Sequence, residues 1–185
     1  MTVDGLGPEW TPEDMRDWVG RGLDGAGWVQ VAALRRGEFS APALAELARG
    51  RRVLLDGQGL VRPAAAGPLE QDADYDAAVL EHVSVLKLSE SEAELLAGGV
   101  EEQALRGLGV PEVVVTLGSR GALVLDRTGV EHVPGRPVDP SRDPTGAGDA
   151  FGAAYIAARA DGNGPAGAAR RAAGLVADLL AGRFR

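Results

Sequence analysis

The chain has 185 residues, of which 45% are hydrophobic and 25% are charged, as is ordinary for one soluble globular domain. Its formal net charge is −8 and no basic cluster is visible, which argues against a general nucleic-acid binder and against binding to anionic lipid. It contains no cysteine, so disulfides and thiolate chemistry are excluded.

The amino terminus shows no basic stretch followed by an apolar one, so we predict no secretory signal peptide. No apolar run approaches the ~20 residues that a membrane-spanning helix needs. The expected location is therefore the cytoplasm. No internal repeat is visible and no linker is long enough to divide the chain, so residues 1–185 are expected to form a single domain.

Apolar segments with strand character alternate with helical segments along the chain. The predicted strands are residues 28–34, 52–56, 83–88, 112–117, 122–126 and 129–133. The predicted helices are residues 12–24, 41–49, 75–80, 90–97, 101–108, 146–160 and 165–181, and residues 57–74 are predicted to form a loop. This alternation predicts parallel βαβ units, and hence an α/β sheet with helices on its faces; the last two strands are expected to form an antiparallel hairpin.

The segment 143–151, with the sequence DPTGAGDAF, is the strongest candidate for a ligand site. It follows a proline-rich loop and opens an alanine-rich helix, and such loops carry the ligands of open α/β sheets. Gly146, Ala147 and Gly148 have small side chains or none, so their N–H groups can approach a ligand closely. Free amides at a helix start attract anions.

Asp149 stands in the first turn of that helix, beside the predicted anion site. A carboxylate there repels phosphate, but it can act as a general base. It would take the proton of an attacking hydroxyl while the amides hold the charge of a transferred phosphoryl group. The alternative is an ordinary helix start with Thr145 as the cap and Asp149 interacting with the helix dipole. Capping alone needs neither Gly146 nor Gly148, which favours the ligand site.

The segment 143–151 resembles the carboxyl-terminal signature of the PfkB family of ribokinase-like carbohydrate kinases. The resemblance implies a three-layer, Rossmann-like α/β fold and ATP-dependent phosphorylation of a hydroxyl group on a sugar or polyol. It also implies that Asp149 is the catalytic base and that residues 146–148 form the anion hole. Asp143 and Thr145 match positions that, in several members, help to bind a monovalent cation such as K⁺.

The segment 116–121 (TLGSRG) follows a strand of β-branched residues. Taken alone, it reads as a plain hairpin turn. In order and spacing it is similar to the nucleotide loop of the same family, which would line the phosphates and ribose of ATP, with Arg120 touching phosphate. The resemblance gives this role to Thr116, Gly118, Ser119, Arg120 and Gly121.

Ser89 and Glu92 lie in a third element, the segment 87–94 (KLSESEAE). The family usually shows Asn, two variable residues and Glu here; the Asn position contacts phosphate or Mg²⁺, and the Glu supports Mg²⁺ through water. Glu92 matches this pattern, whereas Ser89 replaces the Asn. The same residues form an S-x-x-E capping box, so a helix cap and a magnesium site both remain open. Mg²⁺ keeps several waters and therefore tolerates the replacement.

The resemblance covers nearly the whole chain but only the later part of the family. Full-length members begin with further strands, a glycine-rich segment and a small β lid over the sugar, and we expect this chain to lack them. The sequence therefore does not identify the acceptor substrate, although the segment 55–62 (LDGQGLVR) resembles a branch that includes inositol kinases. An uncovered sheet edge or face predicts self-association, for instance as a homodimer.

Two other functions compete with the kinase. A non-catalytic remnant that binds nucleotide or a partner chain would explain the short chain and Ser89, whereas the intact loop around Asp149 favours catalysis. A dinucleotide-dependent oxidoreductase would use Gly146 and Gly148 as the start of a G-x-G pattern. That pattern follows a proline-containing loop instead of a strand, and Phe151 stands where the third Gly is expected, so the oxidoreductase is disfavoured.

Overall fold

Strands and helices alternate along most of the chain. The computed structural model describes residues 2–3, 5–138 and 142–183. The strands are β1 (Thr2–Val3), β2 (Trp28–Val31), β3 (Arg52–Asp56), β4 (Gly67–Pro68), β5 (Val85–Ser89), β6 (Glu112–Thr116), β7 (Gly121–Asp126) and β8 (Gly129–Pro134). The α-helices are α1 (Pro12–Gly22), α2 (Ala41–Leu47), α3 (Gln58–Val61), α4 (Glu90–Ala97), α5 (Glu102–Arg106), α6 (Ala147–Ala160) and α7 (Pro165–Leu180). Short 3₁₀ helices span Ala77–His82 and Gly118–Arg120.

Six strands form one mixed sheet in the order β2-β3-β5-β6-β7-β8. The strands β2, β3, β5 and β6 run parallel, whereas β7 and β8 add an antiparallel hairpin at one edge. β1 and β4 form a separate antiparallel pair. Because these four strands run in the same direction, their carboxyl ends lie together at one end of the sheet.

Helices cover both faces of the sheet, since successive side chains of a strand point to opposite faces. On one face, Leu86 and Val113 pack in a core that includes buried side chains of α1, α2, α4 and α5. On the other face, Leu54, Val85 and Val114 pack with α6 and α7. This confirms the three-layer α/β fold. Within the described ranges, no helix is both long enough and apolar enough to cross a membrane.

The helix starts follow residues that the sequence marks as caps. At α1, the Thr11 hydroxyl accepts a hydrogen bond from the Asp14 amide at 3.2 Å, and the Asp14 carboxylate accepts one from the Thr11 amide at 2.8 Å. The bond from the Thr11 backbone, then that from its hydroxyl, lowers the pKa of the Asp14 carboxyl. At α2, Ser40 Oγ accepts from the Ala43 amide at 3.4 Å. These contacts satisfy amides that a helix start leaves unpaired.

The segment 57–74 is not the continuous loop that its glycines predicted, because α3 forms within it. A Cβ on Gly57 would lie 2.3 Å from Leu88 Cδ2, and one on Gly59 would lie 2.6 Å from the Cβ of Ala33. These glycines therefore allow close packing instead of a loose connection. The predicted strand 28–34 is also shorter in the structure, where β2 ends at Val31.

The tryptophans pack against neighbouring side chains. The rings of Trp10 and Trp18 lie with their centroids 4.5 Å apart. Trp28 contacts the guanidinium groups of Arg52 and Arg159, at 5.3 and 5.4 Å from its ring centroid. The structure thus gives these rings packing and cation–π contacts within the protein.

A buried polar network ties α6 to the amino end of β6. The Tyr155 hydroxyl donates to Glu112 Oε1 at 2.6 Å, and Arg159 Nη2 donates to Glu112 Oε2 at 2.9 Å. Tyr155 is fully buried and Glu112 is 6% exposed. Burial, followed by the charge of Glu112, raises the pKa of the Tyr155 hydroxyl, which therefore remains a donor. The network holds the carboxyl-terminal half of α6 against the sheet.

Replacing Tyr155 with Phe is expected to lower the free energy of unfolding by about 1–3 kcal/mol, because it deletes a buried hydrogen bond to a charged acceptor. Urea unfolding of both proteins measures the difference. Arg170→Gln is the control, since it breaks an exposed ion pair with Glu131 and should cost roughly 0–1 kcal/mol. Equal losses in the two variants would show that the Tyr155 bond contributes nothing of its own.

Candidate active site

Polar side chains occupy the carboxyl ends of neighbouring parallel strands on the face that α6 covers. Gln30 of β2 donates from Nε2 to the Asp149 carbonyl oxygen of α6 at 3.4 Å. Asp56 of β3 and Lys87 of β5 are cross-strand partners, and Lys87 Nζ lies beside Gly148 at the start of α6. Open α/β sheets bind ligands at this end, so the fold brings polar groups to the expected place.

The turn before α6 is organised by Asp143. Its Oδ1 accepts hydrogen bonds from the Thr145 amide at 2.9 Å and from the Thr145 hydroxyl at 2.7 Å. The hydroxyl bond, followed by the amide bond, lowers the pKa of the Asp143 carboxyl, which is therefore anionic at neutral pH. Both residues are exposed, and the structure brings together the two residues predicted to bind a monovalent cation.

Gly146 is the residue that starts α6, with φ of +79° and no side-chain cap. The Ala147 amide donates to the Pro144 carbonyl oxygen at 2.9 Å, so one of the amides predicted for the anion hole is already paired. The turn that bends the chain into the helix uses that N–H, and the anion hole of residues 146–148 stays a prediction. For the amides of Gly146, Gly148 and Asp149, the described part of the chain supplies no hydrogen-bond acceptor.

Asp149 lies in the first turn of α6 and is exposed. Its backbone carbonyl oxygen accepts from Gln30, while its carboxylate forms no hydrogen bond or ion pair with the residues that the structure describes. The side chain is therefore exposed at the end of the sheet, next to amides for which the described residues supply no acceptor. A hydroxyl group that approaches this end of the sheet can reach the carboxylate.

Ser89 and Glu92 form the capping box that their spacing predicts. Ser89 Oγ accepts from the Glu92 amide at 3.3 Å, and Glu92 Oε2 accepts from the Ser89 amide at 2.8 Å. Glu92 is only 8% exposed. Across the described ranges, no group of three or more His, Asp or Glu side chains could hold a metal ion. A magnesium ion would therefore depend on phosphate oxygens and water, with Glu92 as an outer partner.

The predicted nucleotide loop lies beside the start of α4. Thr116 Oγ1 donates to the Leu88 carbonyl oxygen at 3.1 Å, and Thr116 pairs with Ser89 across β5 and β6. Residues 118–120, which include Ser119, form a 3₁₀ turn, and the guanidinium of Arg120 forms an exposed ion pair with Glu90. The structure thus brings the second and third predicted elements together.

Two glycines of this loop have backbone conformations that favour glycine. Gly118 has φ of +60° and Gly121 has φ of +99°. A Cβ on Gly121 would also lie 2.0 Å from the Val133 carbonyl oxygen of β8. Gly121 is therefore required by the close pairing of β7 and β8, independently of any nucleotide.

The sequence did not single out Gln30, Asp56 and Lys87 as site residues. Lys87 Nζ and Asp56 Oδ2 form an ion pair at 2.5 Å, and both residues are buried. The available signal was a lysine inside an otherwise apolar parallel strand. Such strands are buried on both faces and are normally apolar throughout, so a charge within one requires an explanation.

A groove lies at the opposite end of the sheet. Its volume is about 790 Å³, and its walls include Trp28, Arg52, Glu112 and Arg159 at or near the amino ends of strands. The Glu112 carboxylate there is already satisfied by Tyr155 and Arg159. We therefore place the candidate site at the carboxyl end, where Asp149 lies beside amides that have no acceptor in the described ranges.

Residues 43–179 match the pfkB family of carbohydrate kinases, and the chain belongs to this family. A cytidine kinase of Thermococcus kodakarensis is 32% identical over 115 residues, which are 59% of this chain and 40% of that protein.

Two solved structures of the ribokinase family share the fold. A pyrophosphate-dependent kinase complexed with a pyrophosphate analog and myo-inositol has a TM-score of 0.80 and 21% identity, over 96% of this chain and 64% of that one. Arabidopsis thaliana ribokinase complexed with ribose and ATP has a TM-score of 0.69 and 23% identity, over 97% and 56%. The chain therefore spans less than two thirds of the length of these kinases.

Gly146→Ala is expected to reduce both stability and ATP affinity. The left-handed backbone should cost about 1–2 kcal/mol for a residue with a Cβ, and a shifted amide should weaken ATP binding by about tenfold. Gly162→Ala is a matched control, because Gly162 has φ of +86° with no atom within 4 Å of its Cβ position, as at Gly146, but follows the other end of α6. Urea unfolding and ATP-dependent thermal shifts measure the two effects. Equal ATP affinity in both variants would contradict a ligand role for the Gly146 turn.

Proposed function

We propose that this chain is the ATP-side unit, as a single domain over residues 1–185, of a kinase that transfers a phosphoryl group from ATP to a hydroxyl of a sugar or polyol. The proposal rests on the exposed carboxylate of Asp149 beside the amides of Gly146 and Gly148, which have no acceptor among the residues that the structure describes. The family membership supports the reaction class.

In the proposed reaction, the acceptor hydroxyl approaches Asp149, which takes its proton as the oxygen attacks the γ-phosphorus of ATP. The new O–P bond forms as the bond from the γ-phosphorus to the bridging oxygen of ADP breaks. The amides of Gly146, Gly148 and Asp149 hold the charge on the transferred group. The phosphorylated acceptor and ADP leave, and Asp149 returns its proton to solvent.

The nucleotide would lie along the second predicted loop. Residues 118–121 and the Thr116 hydroxyl follow β6, next to Ser89 at the start of α4. Arg120 can turn towards phosphate at little cost, because its ion pair with Glu90 is exposed and such pairs contribute roughly 0–1 kcal/mol.

Cations would assist at two places. Bound with ATP, Mg²⁺ neutralises charge on the phosphates, and Glu92 would contact it through water. Glu92 Oε2 accepts a hydrogen bond from the Ser89 amide, so the Glu92 carboxylate is fixed in orientation. Asp143 and Thr145 would supply oxygens for K⁺ in the turn before α6.

The acceptor would be a small sugar, a cyclitol such as myo-inositol, or a nucleoside, in view of the relatives. β2 forms one edge of the sheet, and pairing through this edge would give a homodimer. Neither nucleic acid nor a membrane is a proposed partner, and the proposed location is the cytoplasm.

The competing proposal is a chain that binds nucleotide without catalysis and acts with a partner chain. Phosphoryl transfer to ribose, cytidine and myo-inositol separates the two, with ATP and pyrophosphate each tested as donor. A product with any acceptor supports the kinase. ATP-dependent thermal stabilisation with no product from any pair supports the non-catalytic alternative.

Asp149→Asn is expected to lower kcat by about 10²–10⁴, because the amide cannot accept the hydroxyl proton. ATP-dependent thermal stabilisation should persist, since the backbone amides are unchanged. Asp161→Asn is the control: Asp161 is an exposed acid just beyond the other end of α6, and its loss should leave kcat unchanged. Full activity in Asp149→Asn would remove the assigned base.

A further inference from the structure

A buried ion pair lies beneath the start of α6. Lys87 Nζ and Asp56 Oδ2 are 2.5 Å apart, and their side chains are 6% and 9% exposed. The two residues are Cα partners across β5 and β3, so the register of the sheet fixes the pair. The second oxygen of Asp56 accepts from the Gln58 amide at 3.2 Å, which anchors the carboxylate at the start of α3.

The ammonium group is directed at the turn that starts α6. A Cβ on Gly148 would lie 3.2 Å from Lys87 Nζ and 3.7 Å from its Cε. A lysine ammonium has three N–H donors, and one of them goes to Asp56. Among the residues that the structure describes, no acceptor is found for the other two. Buried donors without acceptors are costly, so a ligand oxygen placed beside Gly148 would gain hydrogen bonds from Lys87.

A purely structural ion pair explains the geometry less well. Buried pairs are seldom more stabilising than apolar residues of similar size, so their position calls for another reason. The second buried pair, Glu112 with Arg159, is bound into a network with Tyr155 and the Asn163 carbonyl oxygen. Within the described part of the chain, Lys87 pairs with Asp56 alone.

We propose that Lys87 donates to the phosphoryl group that is transferred, and that Asp56 is the positioning residue that aims it. This inference rests on the proposed function and extends it, because it assigns the cation that offsets the repulsion between Asp149 and phosphate. The ligand class is the terminal phosphoryl group of a polyphosphate, bound between the Gly148 amide and Lys87 Nζ.

The test compares ADP with the non-hydrolysable analogue β,γ-imido-ATP, both with Mg²⁺, by ligand-dependent thermal shift. The main variant is the double substitution Asp56→Asn with Lys87→Met, which removes both charges so that no unpaired charge stays buried. It should lose about tenfold in affinity for β,γ-imido-ATP and keep its affinity for ADP. Asp56→Asn alone keeps the ammonium but frees it, and should give a smaller loss in the same direction.

The matched control is Glu112→Gln with Arg159→Met, which neutralises the other buried pair at the opposite end of the sheet. It should lower the melting temperature while leaving the ratio of the two affinities as in the wild type. An unchanged ratio in the Asp56/Lys87 double variant would overturn the inference and leave the proposed function standing. Absence of stabilisation by either ligand in the wild type would overturn both. Equal losses of both affinities in the double variant would also overturn the inference, because they indicate a general distortion.

Discussion

The close approach of α6 to the polar ends of the strands is the constraint on which the site depends. Gly148 and Gly152 are one helical turn apart and both face the sheet. A Cβ on Gly148 would meet Lys87 Nζ at 3.2 Å, and one on Gly152 would meet Gln30 Nε2 at 2.6 Å. A Cβ at either position would displace the end of the Lys87 or the Gln30 side chain, and at Gly152 it would disturb the hydrogen bond from Gln30 to the Asp149 carbonyl oxygen. Glycine costs about 1 kcal/mol in a helix interior, which is the cost of this close contact at Gly152.

On the face of the sheet that α6 and α7 cover, the middle of the strands carries apolar core residues and the carboxyl ends carry polar residues of the candidate site. Along β3, β5 and β6, an apolar residue packs against α6 or α7, and two residues later a polar residue lies at or near the end of the strand. The pairs are Leu54 with Asp56, Val85 with Lys87, and Val114 with Thr116. The helix is therefore held by apolar burial and by the Tyr155 network away from the site. Polar groups at the site can then be arranged for a ligand instead of for packing.

The capping box at α4 gives Glu92 a structural role that is compatible with its proposed role near Mg²⁺. Glu92 is buried and uses Oε2 to cap the helix through the Ser89 amide, which fixes its side chain. A carboxylate has two oxygens, so capping leaves Oε1 able to bind an ordered water. A serine in place of asparagine preserves the cap, because both residues accept from the helix amides.

Local signals in the sequence determined the α/β class, most helix starts and the turn at 143–149. Capping residues, apolar periodicity and the glycines at 146 and 148 act over a few residues, so the sequence shows them directly. The turn also carries the family signature, which indicated Asp149. Only the tertiary structure showed that Asp56 meets Lys87 beneath Gly148. This ion pair depends on the register of strands whose paired residues are 31 positions apart, and on the packing of α6 over them. Long-range packing therefore decides which partner the lysine meets, although its place inside an apolar strand is visible in the sequence.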